Sequence, residues 1–212
     1  MGTLEEENLK TEVRCLCLSP NGVDVAAGYA DGSVRLWQAF GSERLCKAVF
    51  QGHKREVSCV CYSKDGSLVA SGSADTEIVI WDADNETGLY RLLGHKDRVT
   101  CVKFLFGERL VSSSKDSLLK VWDLQTQHCV ETLVGHRNEI WCFDIDEKES
   151  RIVCGSSDDK LRVWKIPEDE KSNVRNKPFF IFVVFFCFLF VVLFFFCSNS
   201  CDLFISKKKK EF

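Results

Sequence analysis

The fold is decided by one stretch, Gly52 to Asp82, which reads GHKREVSCVCYSKDGSLVASGSADTEIVIWD. Apolar and polar residues alternate in two short runs, 57–60 and 67–70, and a third run, 78–80, is β-branched throughout. A turn-forming triplet, Lys64 to Gly66, separates the first two runs. Short β-rich runs divided by Asp/Gly turns predict an antiparallel meander of strands.

The same pattern recurs along the chain at a nearly fixed period. Four tryptophans are spaced 44, 41 and 42 residues apart, and each follows an aspartate by six residues. These are Trp37, Trp81, Trp122 and Trp164, with Asp31, Asp75, Asp116 and Asp158. Gly-His pairs begin at Gly52, Gly94 and Gly135. A period of about 40–45 residues with such a start and a Trp-Asp end is typical of WD40 propeller blades.

In WD40 blades, which these repeats resemble, a His, a Ser or Thr, a turn Asp and a Trp form one buried hydrogen-bond chain. Each polar group is then satisfied in a low-dielectric interior. Two repeats carry complete sets, which are His53, Ser71, Asp75 and Trp81, and His95, Ser112, Asp116 and Trp122. We therefore expect these two blades to be the stiffest part of the molecule.

The other two repeats carry incomplete sets. The fourth has His136, Asp158 and Trp164, but Cys154 stands in the hydroxyl position. The first keeps Asp31 and Trp37, but Leu9 and Ala27 stand in the positions of His and Ser.

Ser, His and Asp are also the residues of a hydrolytic triad. Here the trio recurs blade by blade and always with a Trp, which favours a structural role, and nothing indicates an oxyanion hole. The remaining histidine, His128, is expected on the surface of an outer strand. We predict a non-enzymatic protein with no catalytic residue, no small-molecule substrate and no cofactor.

The twelve cysteines contain no Cys-x-x-Cys pair, and no signal peptide precedes them, so neither a metal site nor a disulfide framework is expected. Four of them occupy one equivalent position in the four repeats and are expected to be buried core thiols. These are Cys15, Cys59, Cys101 and Cys142.

The charge balance does not favour direct contact with nucleic acid. The net charge of the chain is −3, and residues 1–166 hold 21 basic and 26 acidic residues, a net −5. A surface that grips phosphates is normally basic. We therefore expect protein partners, with any association with RNA being indirect.

The sequence predicts an all-β WD40 β-propeller with about four blades present of a probable seven. Residues 1–12 are assigned to the end of a preceding blade, and the four blades span 13–166. Their bounds are 13–50, 57–93, 99–134 and 139–165, and the last has three strands. We expect an open arc with exposed strand edges and blade faces, and expect residues 1–212 alone not to be a soluble monomer.

Four short stretches narrow the resemblance further. They are Asn8 to Val13 (NLKTEV), Gly88 to Asp97 (GLYRLLGHKD), and Gln127 to Cys129 (QHC) with Gly135 to Arg137 (GHR). They resemble one family, WD repeat-containing protein 3, also called U3 small nucleolar RNA-associated protein 12, with Leu9 replacing the usual His. The resemblance covers roughly residues 8–166, whereas family members are far longer.

This resemblance implies an interaction scaffold of the small-subunit processome, the U3 ribonucleoprotein assembly, acting in 18S ribosomal RNA maturation. It implies a nucleolar location and other subunits of that assembly as partners. Two alternatives stay open from the residues alone. One is a WD40 adaptor held on a membrane by residues 178–197, and the other is a substrate receptor of a ubiquitin ligase.

The end of the chain departs from the repeats. A linker, 167–177, is followed by an apolar tail, 178–212, in which 19 consecutive apolar residues include ten phenylalanines. This length suits a transmembrane segment. The order of Phe, Val, Cys and Ile, followed by the lysine run 207–210, is also what T-rich and then AAA codons would encode. A translated intron and a membrane anchor are therefore both open interpretations.

Overall fold

A computed structural model describes residues 11–38, 45–106, 108–146 and 148–166. They belong to the first of two compact units, Met1–Glu168, and the second unit, Asp169–Phe212, lies outside the described residues. Residues 1–10 and 167–212, assigned above to a preceding blade, the linker and the apolar tail, are therefore not described. Within the described ranges, no helix is long and apolar enough to cross a membrane.

All regular elements in the described ranges are β-strands, as predicted. They form four antiparallel sheets, each made of consecutive strands, which we call blades 1 to 4. Blade 1 contains β1 (Val13–Leu18), β2 (Asp24–Tyr29), β3 (Ser33–Gln38) and β4 (Cys46–Gln51). Blade 2 contains β5 (Val57–Tyr62), β6 (Leu68–Ser73), β7 (Ile78–Asp82) and β8 (Thr87–Leu92).

The same meander continues in the second half of the described chain. Blade 3 contains β9 (Val99–Leu105), β10 (Arg109–Ser114), β11 (Leu118–Asp123) and β12 (His128–Val134). Blade 4 contains β13 (Ile140–Ile145), β14 (Arg151–Ser156) and β15 (Leu161–Lys165). His128, at the start of the outer strand β12, is exposed.

Local turn chemistry sets the hairpin between the first two strands of a blade. In blade 2 the Ser63 hydroxyl donates to the Asp65 carboxylate at 2.5 Å and accepts from the Leu68 backbone N–H at 2.9 Å. Gly66 follows with a φ of +83°, a left-handed conformation that glycine adopts without strain. Blade 1 repeats this arrangement with Ser19 and Asn21, whose side chains hydrogen-bond at 2.5 Å.

The apolar core lies between neighbouring blades. Between blades 1 and 2, Leu36 and Phe50 pack against Val69 and Trp81, and the Phe50 and Trp81 rings stack at a centroid distance of 5.0 Å. Similar clusters fill the seams between blades 2 and 3 and between blades 3 and 4. Each blade is therefore stabilised chiefly by burying its faces against its neighbours.

One face of blade 4 remains exposed. Val153, Leu161 and Val163 are 40%, 79% and 61% exposed. The equivalent residues of blades 1 to 3 are at most 3% exposed, because the next blade covers them; they are Ala26, Val34, Leu36, Ala70, Ile78, Ile80, Val111, Leu119 and Val121. The expectation of four buried core thiols holds for Cys15 and Cys59, whereas Cys101 is only half-buried. It is wrong for Cys142, which is exposed on this face.

The first strand of blade 1 is also exposed, on the side that in the other blades packs against the preceding blade. Val13, Leu16 and Leu18 are 52%, 39% and 45% exposed. The residues equivalent to Val13 in the other blades, Val57, Val99 and Ile140, are fully buried because the preceding blade packs against them.

Candidate functional site

The predicted set of blade 3 is brought together in one buried hydrogen-bond chain. His95 Nδ1 lies 2.8 Å from an oxygen of Asp116, and His95 Nε2 lies 2.7 Å from the Ser112 hydroxyl. The indole N–H of Trp122 donates to the same hydroxyl at 2.8 Å. Since the hydroxyl accepts from Trp122, its own proton is free for His95 Nε2, which leaves Nδ1–H to donate to the carboxylate.

Blade 2 repeats this chain with its own predicted set. His53 lies 3.0 Å from Asp75 and 2.8 Å from the Ser71 hydroxyl, which accepts from Trp81 at 2.8 Å. Asp75 also accepts the backbone N–H groups of Lys54 and Glu77, at 2.8 and 3.0 Å. The carboxylate therefore joins the loop before β5 to the β6–β7 turn.

Burial and hydrogen bonding shift the acid–base behaviour of these groups. Burial of the imidazole lowers the pKa of His53, because the charged form loses its hydration. Burial acts to raise the pKa of Asp75, but the hydrogen bonds from Lys54 and Glu77, together with the interaction with His53, outweigh it, and the pKa is lowered. The neutral imidazole and the ionised carboxylate are thus the states that the fold holds.

In blade 4 a thiol stands where the hydroxyl should be. His136 Nε2 lies 2.8 Å from Cys154 Sγ, and the Trp164 indole N–H donates to this sulfur at 3.3 Å. Asp158 lies 3.3 Å from His136 Nδ1 and also accepts from Arg162 at 2.6 Å. The chain is continuous, but sulfur is a weaker acceptor than a hydroxyl oxygen.

We predict that Cys154→Ser stabilises the protein by about 0.5–1 kcal/mol, because an oxygen accepts the Trp164 indole N–H better than sulfur does. The reciprocal change, Ser112→Cys, should destabilise blade 3 by a similar amount. Urea unfolding of both variants measures this. Two shifts of the same sign would contradict the prediction.

Blade 1 builds a different chain from residues that sequence reasoning missed. Arg35 is 2% exposed, and its guanidinium lies 3.2 Å from Asp31 and 4.2 Å from the centre of the Tyr29 ring. The indole N–H of Trp37 donates to the Tyr29 hydroxyl at 3.1 Å. Arg35 and Tyr29 thus take the roles of the missing His and Ser. A lone Arg in the otherwise apolar stretch VRLW was the available signal.

These chains stabilise the blades and are poorly suited to catalysis. The hydroxyls of Ser71 and Ser112 are fully buried, and each is already engaged by a Trp and a His. A nucleophile needs room for a substrate beside it, and these hydroxyls have none. Among the described residues, no group of three or more His, Cys, Asp or Glu side chains could hold a metal ion.

The edge at which the first strands of the blades begin is polar and crossed by ion pairs. We call it the inner rim and define it as Arg14, Glu56, Arg98, Lys115, Glu139 and Trp141. Glu56 pairs with Arg14 at 3.2 Å and also with Arg98, while Lys115 pairs with Glu139 at 3.2 Å. The charges of the rim are mixed, unlike the continuous basic surface that binds phosphates.

An exposed aromatic side chain completes the inner rim. Trp141 is 51% exposed, and the Lys115 ammonium lies 4.2 Å above its ring. Trp and Arg are enriched at the centres of protein–protein interfaces. The inner rim thus combines an exposed aromatic side chain with paired charges of both signs.

Comparison with known proteins agrees with this geometry. The model of a protein family described as "WDR3 first beta-propeller domain" matches residues 1–166. The chain belongs to the WD repeat-containing protein 3 family. The described residues are accordingly four blades of a WD40 β-propeller.

The alignments of this WD repeat-containing protein 3 family member with individual relatives cover only part of each chain. The WD repeat-containing protein 3 homolog of Dictyostelium discoideum is 46% identical over 52 residues, which are 24% of this chain and 5% of that relative. Two solved structures, of U3-55K and of the RRP9 WD40 repeats, are each 30% identical with a TM-score of 0.68. Each alignment covers 76% of this chain and 51% or 50% of the other chain.

The histidine chain of blade 2 predicts how the stability of the WD40 blades depends on pH. Because the pKa of His53 and that of Asp75 are both lowered, the unfolded state takes up each proton first as the pH falls. The contribution of these two groups to the free energy of unfolding should therefore be fully present above the ordinary His pKa of about 6.5. It should decrease below that pH because of His53, and decrease again below about 4 because of Asp75. Urea midpoints from pH 8 to pH 3 measure this.

In the His53→Gln variant the decrease in stability just below pH 6.5 should be much smaller than in the unmodified protein. His128→Gln, on the exposed outer strand, is the matched control and should keep that decrease. Stability that rises between pH 7 and pH 5 would contradict the prediction.

Proposed function

We propose that this chain is a non-enzymatic WD40 scaffold of ribosome biogenesis, acting in the nucleolus within the small-subunit processome that matures 18S ribosomal RNA. The observation that carries the proposal is the family match over residues 1–166. The similarity to a solved U3-55K structure supports the same assembly, because that protein is named for the U3 particle.

The inner rim supports protein partners in particular. It joins the exposed Trp141 to paired charges from all four blades, and its mixed charge suits a protein surface better than a phosphate backbone. Any RNA association then arises through the bound proteins. On the described residues nothing favours a membrane adaptor or a ubiquitin-ligase receptor, so neither is proposed.

The test is affinity purification of the tagged chain from nucleolar extract, with processome proteins identified by mass spectrometry and U3 RNA measured before and after nuclease treatment. We expect the proteins to remain after nuclease digestion and the RNA to be lost. Absence of processome proteins at all salt concentrations tested, or their loss with the RNA, would contradict the proposal.

The rim variant Trp141→Ala should weaken recovery of the partner about tenfold, which is typical of an aromatic interface residue. Val130→Ala is the matched control, because Val130 is similarly exposed (57%) but lies on the outer strand β12. Equal recovery of the partner with both variants would show that the binding surface lies outside the inner rim.

A further inference from the structure

Every seam between neighbouring blades joins two unlike surfaces. At the seam between blades 1 and 2, the earlier blade contributes the face that carries Val34 and Leu36, which we call its trailing face. The later blade contributes the side of its first strand that carries Val57 and Val60, which we call its leading strand. The other two seams repeat this arrangement with the equivalent residues. A seam is therefore a heterologous contact, in which the two partners use different surfaces.

The four blades leave one surface of each kind exposed. Leu161 and Val163 are exposed on the trailing face of blade 4, and Val13 and Leu16 are exposed on the leading strand of blade 1. The residues equivalent to Leu16 in the covered leading strands are at most 9% exposed; they are Val60, Val102 and Phe143. The chain thus carries both halves of a further seam, built from aliphatic side chains like those of the three internal seams.

We propose that two copies of this chain associate head to tail, with the leading strand of blade 1 in one copy packed on the trailing face of blade 4 in the other. The internal seams show how these two kinds of surface fit together. A heterologous contact closes into a ring when its rotation allows. Each copy supplies four blades, so two copies make an eight-bladed ring, which is within the range of β-propellers. A third copy would exceed that range.

A thiol on the trailing face marks where the two copies meet. The Cys15 thiol of blade 1 lies 3.8 Å from the carbonyl oxygen of Val57, the first residue of the next leading strand. The Cys59 thiol of blade 2 lies 4.0 Å from the equivalent carbonyl oxygen of Val99. Cys142 has the same position in blade 4, where it is exposed. In the head-to-tail pair it lies against the first residue of β1 in the second copy and is shielded from water.

The first test is sedimentation velocity of the full chain over a range of concentrations. We expect a species with the mass of two 24.2 kDa chains. Leu161→Asp on the trailing face and Val13→Asp on the leading strand should each give monomers, because the seam cannot bury an unpaired carboxylate. Both side chains are exposed in one copy, so neither substitution disturbs the core of a blade. Val130→Asp, on the outer strand β12, is the matched control and should stay dimeric.

An equimolar mixture of the two monomeric variants distinguishes this contact from other kinds of association. Each variant keeps one intact half of the seam, so the mixture should form a dimer although neither variant does so alone. A symmetric dimer of two trailing faces would respond to Leu161→Asp only, and non-specific association would respond to neither substitution. Either of these results, a monomeric unmodified chain, a mixture that stays monomeric, or polymers larger than the dimer would overturn the proposal.

A second test follows alkylation of Cys142 by iodoacetamide, with the modified site identified by mass spectrometry. At a concentration where the unmodified chain is dimeric, Cys142 should react about tenfold more slowly than in Val13→Asp, because a buried thiol is inert. The substitution lies in blade 1, so it alters Cys142 only through the contact between copies. Cys129, on the outer strand β12, is the internal control and should react equally in both proteins. Equal rates at Cys142 would overturn the proposed contact.

Discussion

Gly72→Ala should destabilise the protein by about 1–3 kcal/mol, the range for overpacking a filled interior. A Cβ atom at Gly72 would lie 2.5 Å from Val99 Cγ1, 2.9 Å from Val99 Cβ and 2.7 Å from the Cys59 sulfur. Val99 is the first residue of β9, so its Cβ cannot move without moving the strand of the next blade. The seam between blades 2 and 3 must therefore open.

Gly155→Ala is the matched control, because Gly155 occupies the equivalent position in blade 4. There a Cβ would meet its nearest neighbours at 3.7 and 3.8 Å, which is ordinary contact. Because a Cβ there makes only ordinary contacts, the smaller unfolded-state entropy of alanine should leave stability unchanged or raise it by about 0.5 kcal/mol. Urea unfolding and amide exchange in β5 and β9 measure the difference. Equal destabilisation by the two substitutions would show that the seam is not the cause.

Asp116→Ala should destabilise the protein by about 1–3 kcal/mol, because it leaves the buried His95 without its acceptor. The His95 side chain is fully buried and that of Asp116 is 6% exposed, so water cannot readily replace the carboxylate. The backbone N–H of Lys96 loses its acceptor as well. Asp75→Ala should have the same effect in blade 2, where His53 and Lys54 depend on Asp75.

Asp123→Ala is the control for both substitutions. Asp123 accepts only the exposed turn N–H groups of Gln125 and Thr126, and water can replace it there. We expect its effect to stay below about 0.5 kcal/mol. Denaturant melts and local amide exchange of His95 and Lys96 measure the comparison. If Asp123→Ala proved as damaging as Asp116→Ala, the buried chain would not explain the stability.

Much of the fold could be predicted because each blade is encoded locally. The turn residues Ser63 to Gly66 hydrogen-bond within their own hairpin, and alternation along β5 and β6 separates the two faces of one sheet. Such short-range signals need no knowledge of the rest of the chain. The interval from His95 to Trp122 likewise follows from the geometry of one blade, because all four side chains of its hydrogen-bond chain come from that blade or from the loop that leads into it.

The sequence could not reveal which residues meet when the pattern is broken. Blade 1 lacks the usual His and Ser, and its solution requires Arg35 to lie between Asp31 and the Tyr29 ring. An Arg in a strand normally indicates a solvent-exposed side, so the pattern gave no reason to place this one in the interior. Only the packing of β2 against β3 brings the ring and the guanidinium together.

By itself, then, the sequence determined the strand order, the blade period and the histidine chains of blades 2 and 3, because these rest on contacts within about 30 residues. The tertiary structure alone decided which residues the neighbouring blades cover: the burial of Gly72 against Val99 and the exposure of Cys142. The physical reason is that a residue's face in a strand follows from alternation, but what covers that face depends on the neighbouring blade.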